Sequence, residues 1–157
     1  MSPASRGRTV VWTIGHSTRS LGEFLELLAS AGIRTVADVR RYPVSRRSPH
    51  FGGDLLKDSL PAHGLEYRHL PGLGGYRDDY RAYTASAEFM AALEDLLRLA
   101  SDSPTAAMCA EADYRQCHRQ ILADVLVAQG VAVNHLVAPG IVDPHPVRRE
   151  RPLEAFQ

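Results

Sequence analysis

One stretch of the sequence places reactive side chains between a strand and a helix: Thr105-Ala-Ala-Met-Cys-Ala-Glu-Ala-Asp-Tyr-Arg-Gln-Cys-His-Arg-Gln-Ile-Leu-Ala-Asp-Val-Leu126. Its apolar residues 106–110 predict a buried strand. Both cysteines of the chain, Cys109 and Cys117, lie in this stretch, so its polar loop is the first candidate for a reactive site. A helix is predicted after the loop, because apolar residues recur there at helical spacing: Ile121, Leu122, Val125 and Leu126.

The same alternation of strands and helices extends through the rest of the chain. Strands are predicted where β-branched and apolar residues cluster, at 9–14, 35–39, 65–70 and 131–137. A capping box of Ser20 and Glu23 predicts the start of one helix, and Ser86 predicts the start of another. Two further helices are predicted at 54–63 and 78–84. This alternation predicts an α/β fold, a mostly parallel sheet of about five strands with helices on both faces.

The predicted domain organisation is simple. Residues 1–8 are polar and basic, which predicts a disordered tail, and 9–138 form a single α/β domain. Residues 139–157 are rich in proline and predict an irregular C-terminal tail. Within the domain, residues 42–53 form a long irregular stretch of prolines, glycines and arginines, and a loop of that length is more often functional than idle.

Composition narrows the class of protein. The chain has 157 residues, of which 45% are hydrophobic and 23% charged, with a formal net charge of zero. This balance argues against a protein whose whole surface binds nucleic acid, although it allows a local basic patch. No apolar run approaches the length of a membrane span, and the N-terminus lacks a signal peptide. We therefore expect a cytoplasmic protein without membrane partners, in which a permanent disulfide is disfavoured.

Polar residues follow four of the predicted strands at the same edge of the sheet. Ligands of open α/β sheets bind beyond the carboxyl ends of the strands, so chance does not favour this edge. This convergence is the main argument from the residues for a functional site. The residues concerned are His16, Asp38, Arg40, Arg77, Cys109 and Glu111.

Cys117 is a candidate nucleophile or redox thiol. We expect it in the first turn of its helix, where backbone amides and the positive potential of His118 and Arg119 stabilise a thiolate. The alternative is that Cys117 is a small buried residue that packs the helix onto the sheet. Cys109, at the end of its strand, is open to the same two interpretations.

Candidates for proton transfer lie close to the cysteines. Glu111 is a candidate general base or a residue that orients a histidine, and His16 is a candidate acid or base. Alternatively, Glu111 forms a salt bridge with Arg119 or Arg40, and His16 binds the loop backbone. Asp38 either holds Arg40 or His16 in place for chemistry or forms a structural ion pair.

The arginines near this edge predict an anion-binding cleft, because a guanidinium grips phosphate or carboxylate through two hydrogen bonds. Singly, each arginine is equally well explained as a solvated surface charge. The residues assigned to the cleft are Arg40, Arg46, Arg77 and Arg119. Aromatic residues of the same loops could stack on a base. A phosphate-bearing small molecule or a nucleic acid is therefore the expected partner.

Two other site types fit less well. The spacing from Cys109 to Arg115 matches cysteine phosphatases, but two acids and no glycine lie between them, which disfavours phosphate and a thiolate. Two cysteines cannot form a four-thiolate zinc site, and the spacing Cys-x7-Cys-His matches no familiar zinc pattern. No metal is predicted, and the sequence indicates neither a cofactor nor an oligomeric state.

Taken together, the motifs resemble the family called domain of unknown function 488. The resemblance rests on Thr13-Ile-Gly-His-Ser17, Asp38-Val-Arg40, Leu73-Gly-Gly-Tyr-Arg77, Met108-Cys-Ala-Glu111 and Cys117-His-Arg119, and it runs from about Thr9 to Leu136. It implies a compact α/β domain and supplies no activity. It also implies that ten residues occupy signature positions of the family: His16, Asp38, Arg40, Arg46, Arg77, Cys109, Glu111, Cys117, His118 and Arg119.

The residues leave three functions open. The first is an enzyme that binds a phosphate-bearing ligand in an arginine-lined cleft and uses cysteine, glutamate and histidine chemistry. The second is a non-catalytic nucleotide-binding or nucleic-acid-binding module with structural cysteines, and the third, weaker, is a metal site. The positions of the two sulfur atoms separate them: sulfurs within bonding reach at a polar cleft favour redox or metal chemistry, whereas sulfurs buried among apolar side chains leave the arginines as the site.

Overall fold

A computed structural model of the chain describes residues 9–75 and 79–147 and contains one six-stranded sheet. Its strand order is β3-β2-β4-β1-β5-β6, in which the first five strands are parallel and β6 runs antiparallel to β5. The strands are β1 (Val10–Gly15), β2 (Thr35–Asp38), β3 (Glu66–His69), β4 (Thr105–Cys109), β5 (Ala132–Ala138) and β6 (Ile141–Pro144). The prediction of an α/β fold with a mostly parallel sheet is confirmed, with one strand more than expected.

Five α-helices connect these strands, and short 3-10 turns lie between them. The helices are α1 (Leu21–Ser30), α2 (Gly53–Ser59), α3 (Tyr80–Tyr83), α4 (Ala87–Asp102) and α5 (Arg119–Ala128). The capping box at the start of α1 is confirmed, since Glu23 N donates to Ser20 Oγ and Ser20 N donates to Glu23 Oε1. Among residues 9–75 and 79–147, no helix is long and apolar enough to cross a membrane.

The helices bury the sheet on both faces. On one face, α1 and α2 contribute Phe24, Leu27 and Leu56 to an apolar core against β1, β2 and β4. On the other face, α4 and α5 contribute Phe89 and Leu122 to a second core. Alternate residues of a strand point to opposite faces, so neighbouring residues of one strand end serve different sites.

Strands β1 and β4 are neighbours at the centre of the sheet, and their connections leave towards opposite faces. The chain after β1 enters α1 on the first face, whereas the chain after β4 enters α5 on the second. Such a switch point opens a crevice at the carboxyl ends of the strands. Gly15 allows the two chains to approach there, because a Cβ atom at this position would lie 1.6 Å from the carbonyl oxygen of Glu111.

Several predicted boundaries are wrong for identifiable reasons. The expected irregular tail after residue 138 begins with β6, an edge strand in which the terminal Pro144 requires no ladder hydrogen bond. The predicted helix at 54–63 changes to a 3-10 turn, Leu60–His63, where Pro61 cannot continue the α-helix. Residues 1–8 and the end of the predicted tail, 148–157, lie outside the described residues.

The expected position of Cys117 inside its helix is also wrong. A 3-10 turn, Tyr114–Gln116, follows β4, and Cys117 ends this turn in an extended conformation before α5 begins at Arg119. The extended residue directs the chain back towards β4. Cys117 therefore reaches Cys109 although seven residues separate them in the sequence.

Candidate functional site

On the α1 and α2 face, the carboxyl end of β2 carries a buried ion pair. Arg40 Nε donates to Asp38 Oδ1 at 2.8 Å and Arg40 Nη2 donates to Asp38 Oδ2 at 2.7 Å. Arg40 Nη2 also donates to the carbonyl oxygen of Phe51 at 2.8 Å. Both side chains are almost completely buried, so the bidentate geometry offsets the cost of removing two charges from water.

His16 completes this cluster as a neutral ring. Its Nε2 accepts from Arg40 Nη1 at 3.2 Å, because a guanidinium only donates, and its Nδ1–H donates to the carbonyl oxygen of Ser17 at 2.9 Å. The ring stacks on Phe51 with centroids 4.7 Å apart. Burial, together with the charge of Arg40, lowers the pKa of His16 below its ordinary value. Both ring nitrogens are therefore engaged, and the ring supports Arg40.

Tyr67 supplies the last partner of the carboxylate. Its hydroxyl donates to Asp38 Oδ2 at 2.6 Å, and burial and this carboxylate raise the pKa of the phenol. We call Asp38, Arg40, His16, Phe51 and Tyr67 the guanidinium cluster. The charge of Arg40 in this cluster is balanced by Asp38, a contact that fits both interpretations given for Asp38, holding Arg40 in place for chemistry and a structural ion pair.

On the other face of the sheet, the two sulfur atoms meet. Cys109 Sγ and Cys117 Sγ lie 2.9 Å apart and are not joined by a disulfide bond. Cys109 is buried at the end of β4, whereas Cys117 is partly exposed. His118 Nδ1 lies 3.4 Å from Cys117 Sγ. We call Cys109, Cys117, His118 and Arg119 the thiol cluster.

The two thiols are electrostatically different. A hydrogen bond from the Cys109 thiol and a second one from His118 lower the pKa of Cys117, and they outweigh the opposing effect of burial. Burial raises the pKa of Cys109, and the neighbouring Cys117 raises it further. These opposite directions favour a proton on Cys109 and a thiolate on Cys117, which is the form of cysteine that reacts.

Arg119 is a buried residue of this cluster that hydrogen-bonds the neighbouring segments of the chain. Its Nη2 donates to the carbonyl oxygens of Glu111 at 2.7 Å and Ala112 at 3.1 Å, and its Nη1 donates to Thr13 Oγ1 at 2.9 Å. The sequence predicted Arg119 as a grip for an anion. These three hydrogen bonds tie α5 to the loop after β4 and to β1. Among the described residues, Arg119 Nε and His118 Nε2 are buried without a hydrogen-bond partner.

A cavity of about 270 Å³ opens beside the two sulfur atoms, between the chain after β2 and the chain after β4. Other depressions of the described surface, such as the one around Leu25, Leu28 and His63, bring together no comparable set of reactive groups. The cavity is lined by Arg40, Arg41, Tyr42, Val44, Gly75, Cys109, Ala110, Glu111, Gln116, Cys117 and His118.

The remaining predicted residues are placed differently. Glu111 lines the cavity with an exposed side chain, and its backbone oxygen is the group that meets Arg119. Arg46 is exposed, and the lining described for the cavity does not include it. Arg77 lies outside the described residues. Within 9–75 and 79–147, no three His, Cys, Asp or Glu residues are arranged to hold a metal ion.

Sequence reasoning missed some residues of this site. Arg41 and Gln116 line the cavity, and only their proximity to Arg40 and Cys117 in the sequence could have suggested them. Thr13 and His135 were missed because single polar residues within predicted strands carry no recognisable pattern. Thr13 meets His135 only when β1 and β5 pair, and Arg119 then donates to Thr13.

Comparison with protein families gives one match. A family model described as "Domain of unknown function DUF488" matches residues 20–79 and 75–126, which is more than half of the chain. Comparison with curated proteins and with solved structures gives no match.

Proposed function

The chain belongs to the DUF488 family, and from the geometry of its thiol cluster we propose that it is a dithiol enzyme that reduces a small disulfide. One observation carries the proposal: two unbonded sulfur atoms lie 2.9 Å apart beside a cavity. A disulfide bond is about 2.05 Å long, so a small displacement joins them. Sulfurs in this position favour redox chemistry over a purely structural role.

The asymmetry of the two thiols assigns their roles. Cys117 is partly exposed, lines the cavity and has a lowered pKa, which suits the thiol that attacks the substrate. Cys109 is buried and has a raised pKa, so it remains protonated and protected until the substrate is attached. It then suits the thiol that resolves the mixed disulfide.

The reaction proceeds in two exchange steps. The Cys117 thiolate attacks one sulfur of the substrate RSSR, forming a mixed disulfide and releasing RS⁻, which takes a proton. Cys109 then gives its proton to His118 or to water and attacks the Cys117 sulfur, and the second RS⁻ leaves and is protonated. The protein loses two electrons and the proton of Cys109, water supplies the second proton, and the substrate becomes two RSH molecules. A second thiol reductant returns the protein to the dithiol form.

The cavity of about 270 Å³ beside the partly exposed Cys117 suits a small-molecule substrate. Arg40 and Arg41 lie in its wall and support the sequence-based hypothesis of a ligand with an anionic group, including a phosphate. Arg40 is paired with Asp38, however, and Arg119 is engaged by carbonyl oxygens. We therefore propose that the ligand carries a single anionic group at the wall formed by Arg40 and Arg41 rather than a long phosphate chain.

The alternative is a non-catalytic module that binds nucleic acid. It remains a proposal supported by the exposed Arg46 and Arg47 alone. It requires structural cysteines, for which direct contact between a lowered-pKa thiol and a second thiol has no purpose. The thiol geometry therefore favours the enzyme.

The test is reaction of the reduced protein with glutathione disulfide. We expect release of two molecules of reduced glutathione per chain and an internal Cys109–Cys117 disulfide, detected by mass spectrometry. Cys109→Ser should stop at a mixed disulfide on Cys117. Cys117→Ser is the matched control and should release none. Absence of the mixed disulfide in Cys109→Ser, or a wild-type thiol that titrates near the ordinary pKa of about 8.5, would refute the proposal.

A further inference from the structure

A buried chain of hydrogen bonds begins and ends on helix α5. Arg119 Nη1 donates to Thr13 Oγ1 on β1 at 2.9 Å, and Thr13 Oγ1 is hydrogen-bonded to His135 Nδ1 on β5. His135 Nε2 lies 3.0 Å from His145 Nδ1, just after β6, and His145 Nε2 lies 2.7 Å from Asp124 Oδ1. Arg119 and Asp124 both belong to α5, so the chain closes a loop through the sheet.

One assignment of protons satisfies every group along this chain. The Arg119 guanidinium only donates and the Asp124 carboxylate only accepts, so the two ends fix the direction. Thr13 then donates to His135, His135 donates from Nε2 to His145, and His145 donates from Nε2 to Asp124. Both imidazoles are neutral in this arrangement. Burial, together with the charge of Arg119, lowers the pKa of His135 to about 3, in agreement with a neutral ring.

This polar chain crosses an interface that is otherwise apolar. Leu122 and Leu126 of α5 pack on Val133 of β5, and contacts of this kind tolerate sliding and rotation of a helix. Hydrogen bonds are directional and costly to leave unmade when buried, so they select one orientation. Thr13 and His135 are each 1% exposed, so leaving their hydrogen bonds unmade would be costly.

His135 also holds the loop between the two cysteines. Its ring stacks on Tyr114 with centroids 3.6 Å apart and planes 5° from parallel. Tyr114 begins the 3-10 turn that leads to Cys117, and Arg119 holds the carbonyl oxygens at the beginning of the same loop. The loop between the two cysteines is thereby held at two points, by β5 through Tyr114 and by α5 through Arg119.

We infer that the hydrogen-bond chain through Thr13, His135, His145 and Asp124 positions α5 and the adjoining loop so that Cys117 stays in contact with Cys109. These four are positioning residues, because none of them lines the cavity described beside the sulfurs. The inference rests on the proposed redox function for its purpose. The contact that it concerns can be measured without any substrate turnover.

The test compares Thr13→Val with Thr13→Ser. Valine has the shape of threonine but no hydroxyl, so it breaks the chain at Arg119 and His135, whereas serine keeps the hydroxyl. Two quantities are measured: the pH midpoint of Cys117 alkylation by iodoacetamide, and the equilibrium constant for the Cys109–Cys117 disulfide against glutathione. We expect Thr13→Val to raise the midpoint and to lower the equilibrium constant about tenfold, the effect of losing roughly one buried hydrogen bond. Thr13→Ser should leave the midpoint and the equilibrium constant close to their wild-type values.

A matched control separates positioning from general loss of stability. Val133→Ala shortens a buried side chain on the same face of β5, outside the hydrogen-bond chain, and should lower the melting temperature without changing either thiol measurement. Asp124→Ala is the second variant, because Asp124 is partly exposed and alanine favours a helix. It should act in the same direction as Thr13→Val.

The possible outcomes are distinguishable. If Thr13→Val and Asp124→Ala match Val133→Ala in both thiol measurements, the inference is overturned, even when wild-type Cys117 behaves as the proposed function requires. If wild-type Cys117 already titrates as an ordinary thiol, the proposed function fails. If Thr13→Val and Asp124→Ala both raise the midpoint and Thr13→Ser does not, the inference that the hydrogen-bond chain positions the thiols is supported.

Discussion

The guanidinium cluster and the thiol cluster lie on opposite faces of one sheet and differ in how completely their polar groups are paired. In the guanidinium cluster, Arg40 donates to Asp38, His16 and a backbone oxygen, and Tyr67 completes the carboxylate. In the thiol cluster, the sulfurs contact each other, and His118 Nε2 is buried with no partner among the described residues. The guanidinium cluster is therefore the more fully satisfied of the two, although each cluster contains one guanidinium.

This difference teaches that charge alone does not locate a reactive site. A buried arginine with all its donors engaged has little left to offer a ligand, whereas a thiolate held by two hydrogen bonds retains a reactive lone pair. The comparison predicts that changes to the first cluster alter folding. Changes to the thiol cluster should alter the reactivity of Cys117 while the fold is retained.

Arg40→Met should have the largest effect on stability. It leaves the carboxylate of Asp38 buried without a counter-charge, which costs about 3–5 kcal/mol of unfolding free energy. Urea denaturation measures this loss. Cys117 alkylation in the folded fraction should change little, because the thiolate is stabilised by Cys109 and His118.

The double variant Asp38→Asn with Arg40→Met is the control for this prediction. Removing both charges eliminates the unpaired carboxylate, so the double variant should be more stable than Arg40→Met alone. A single variant that keeps full stability but loses Cys117 reactivity would reverse the assignment of the two clusters.

The dependence of stability on pH should separate the two clusters further. The folded pKa values of His16 and His135 are lowered, so their contribution to stability is complete above the unfolded value of about 6.5 and is lost as pH falls towards the folded values. The Cys117 pKa is also lowered, so its contribution to stability is complete above the unfolded value of about 8.5 and declines as pH falls below that value.

Urea denaturation between pH 5 and 8 tests these signs. The wild-type unfolding free energy should fall as pH falls throughout this range. Cys117→Ser should flatten the curve above about pH 6.5, whereas His135→Gln should flatten it mainly below that value. An unfolding free energy that increases on acidification would contradict both assignments.

Glu111→Gln should have the smallest effect. Its exposed carboxylate shares the cavity wall with Cys117 and repels anions weakly, because water screens an exposed charge. We expect alkylation by anionic iodoacetate to accelerate about twofold relative to neutral iodoacetamide. A large and equal loss with both reagents would instead assign Glu111 a direct part in activating the thiol.

Much of this fold follows from local patterns in the sequence. The capping box of Ser20 and Glu23 is a local feature, and the structure contains it with both hydrogen bonds. The contact between Asp38 and Arg40 could also be predicted from the sequence, because Arg40 is only two residues away. Strand β6 could not be predicted, since Pro144 within it and the flanking Pro139 and Pro146 indicate irregular chain unless the strand is known to lie at an edge.

The arrangement of the thiol cluster depended on tertiary structure. The spacing of Cys109 and Cys117 did not show that an intervening 3-10 turn brings the sulfurs together. Arg119 was predicted to face an anion, but its partners come from the loop after β4 and from β1. Such contacts depend on strand order, which no local pattern in this chain encodes.

The pairing of β1 with β4 has a consequence for folding kinetics. Gly15 lies opposite Cys109, and His16 N donates to the Cys109 carbonyl oxygen at 2.9 Å, so residues from the two ends of the domain frame the thiol pair. Contacts between such distant segments close large loops and form late. In the unfolded chain Cys117 is an ordinary thiol, so its thiolate absorbance during refolding would report the moment when Cys117 meets Cys109 at the end of β4.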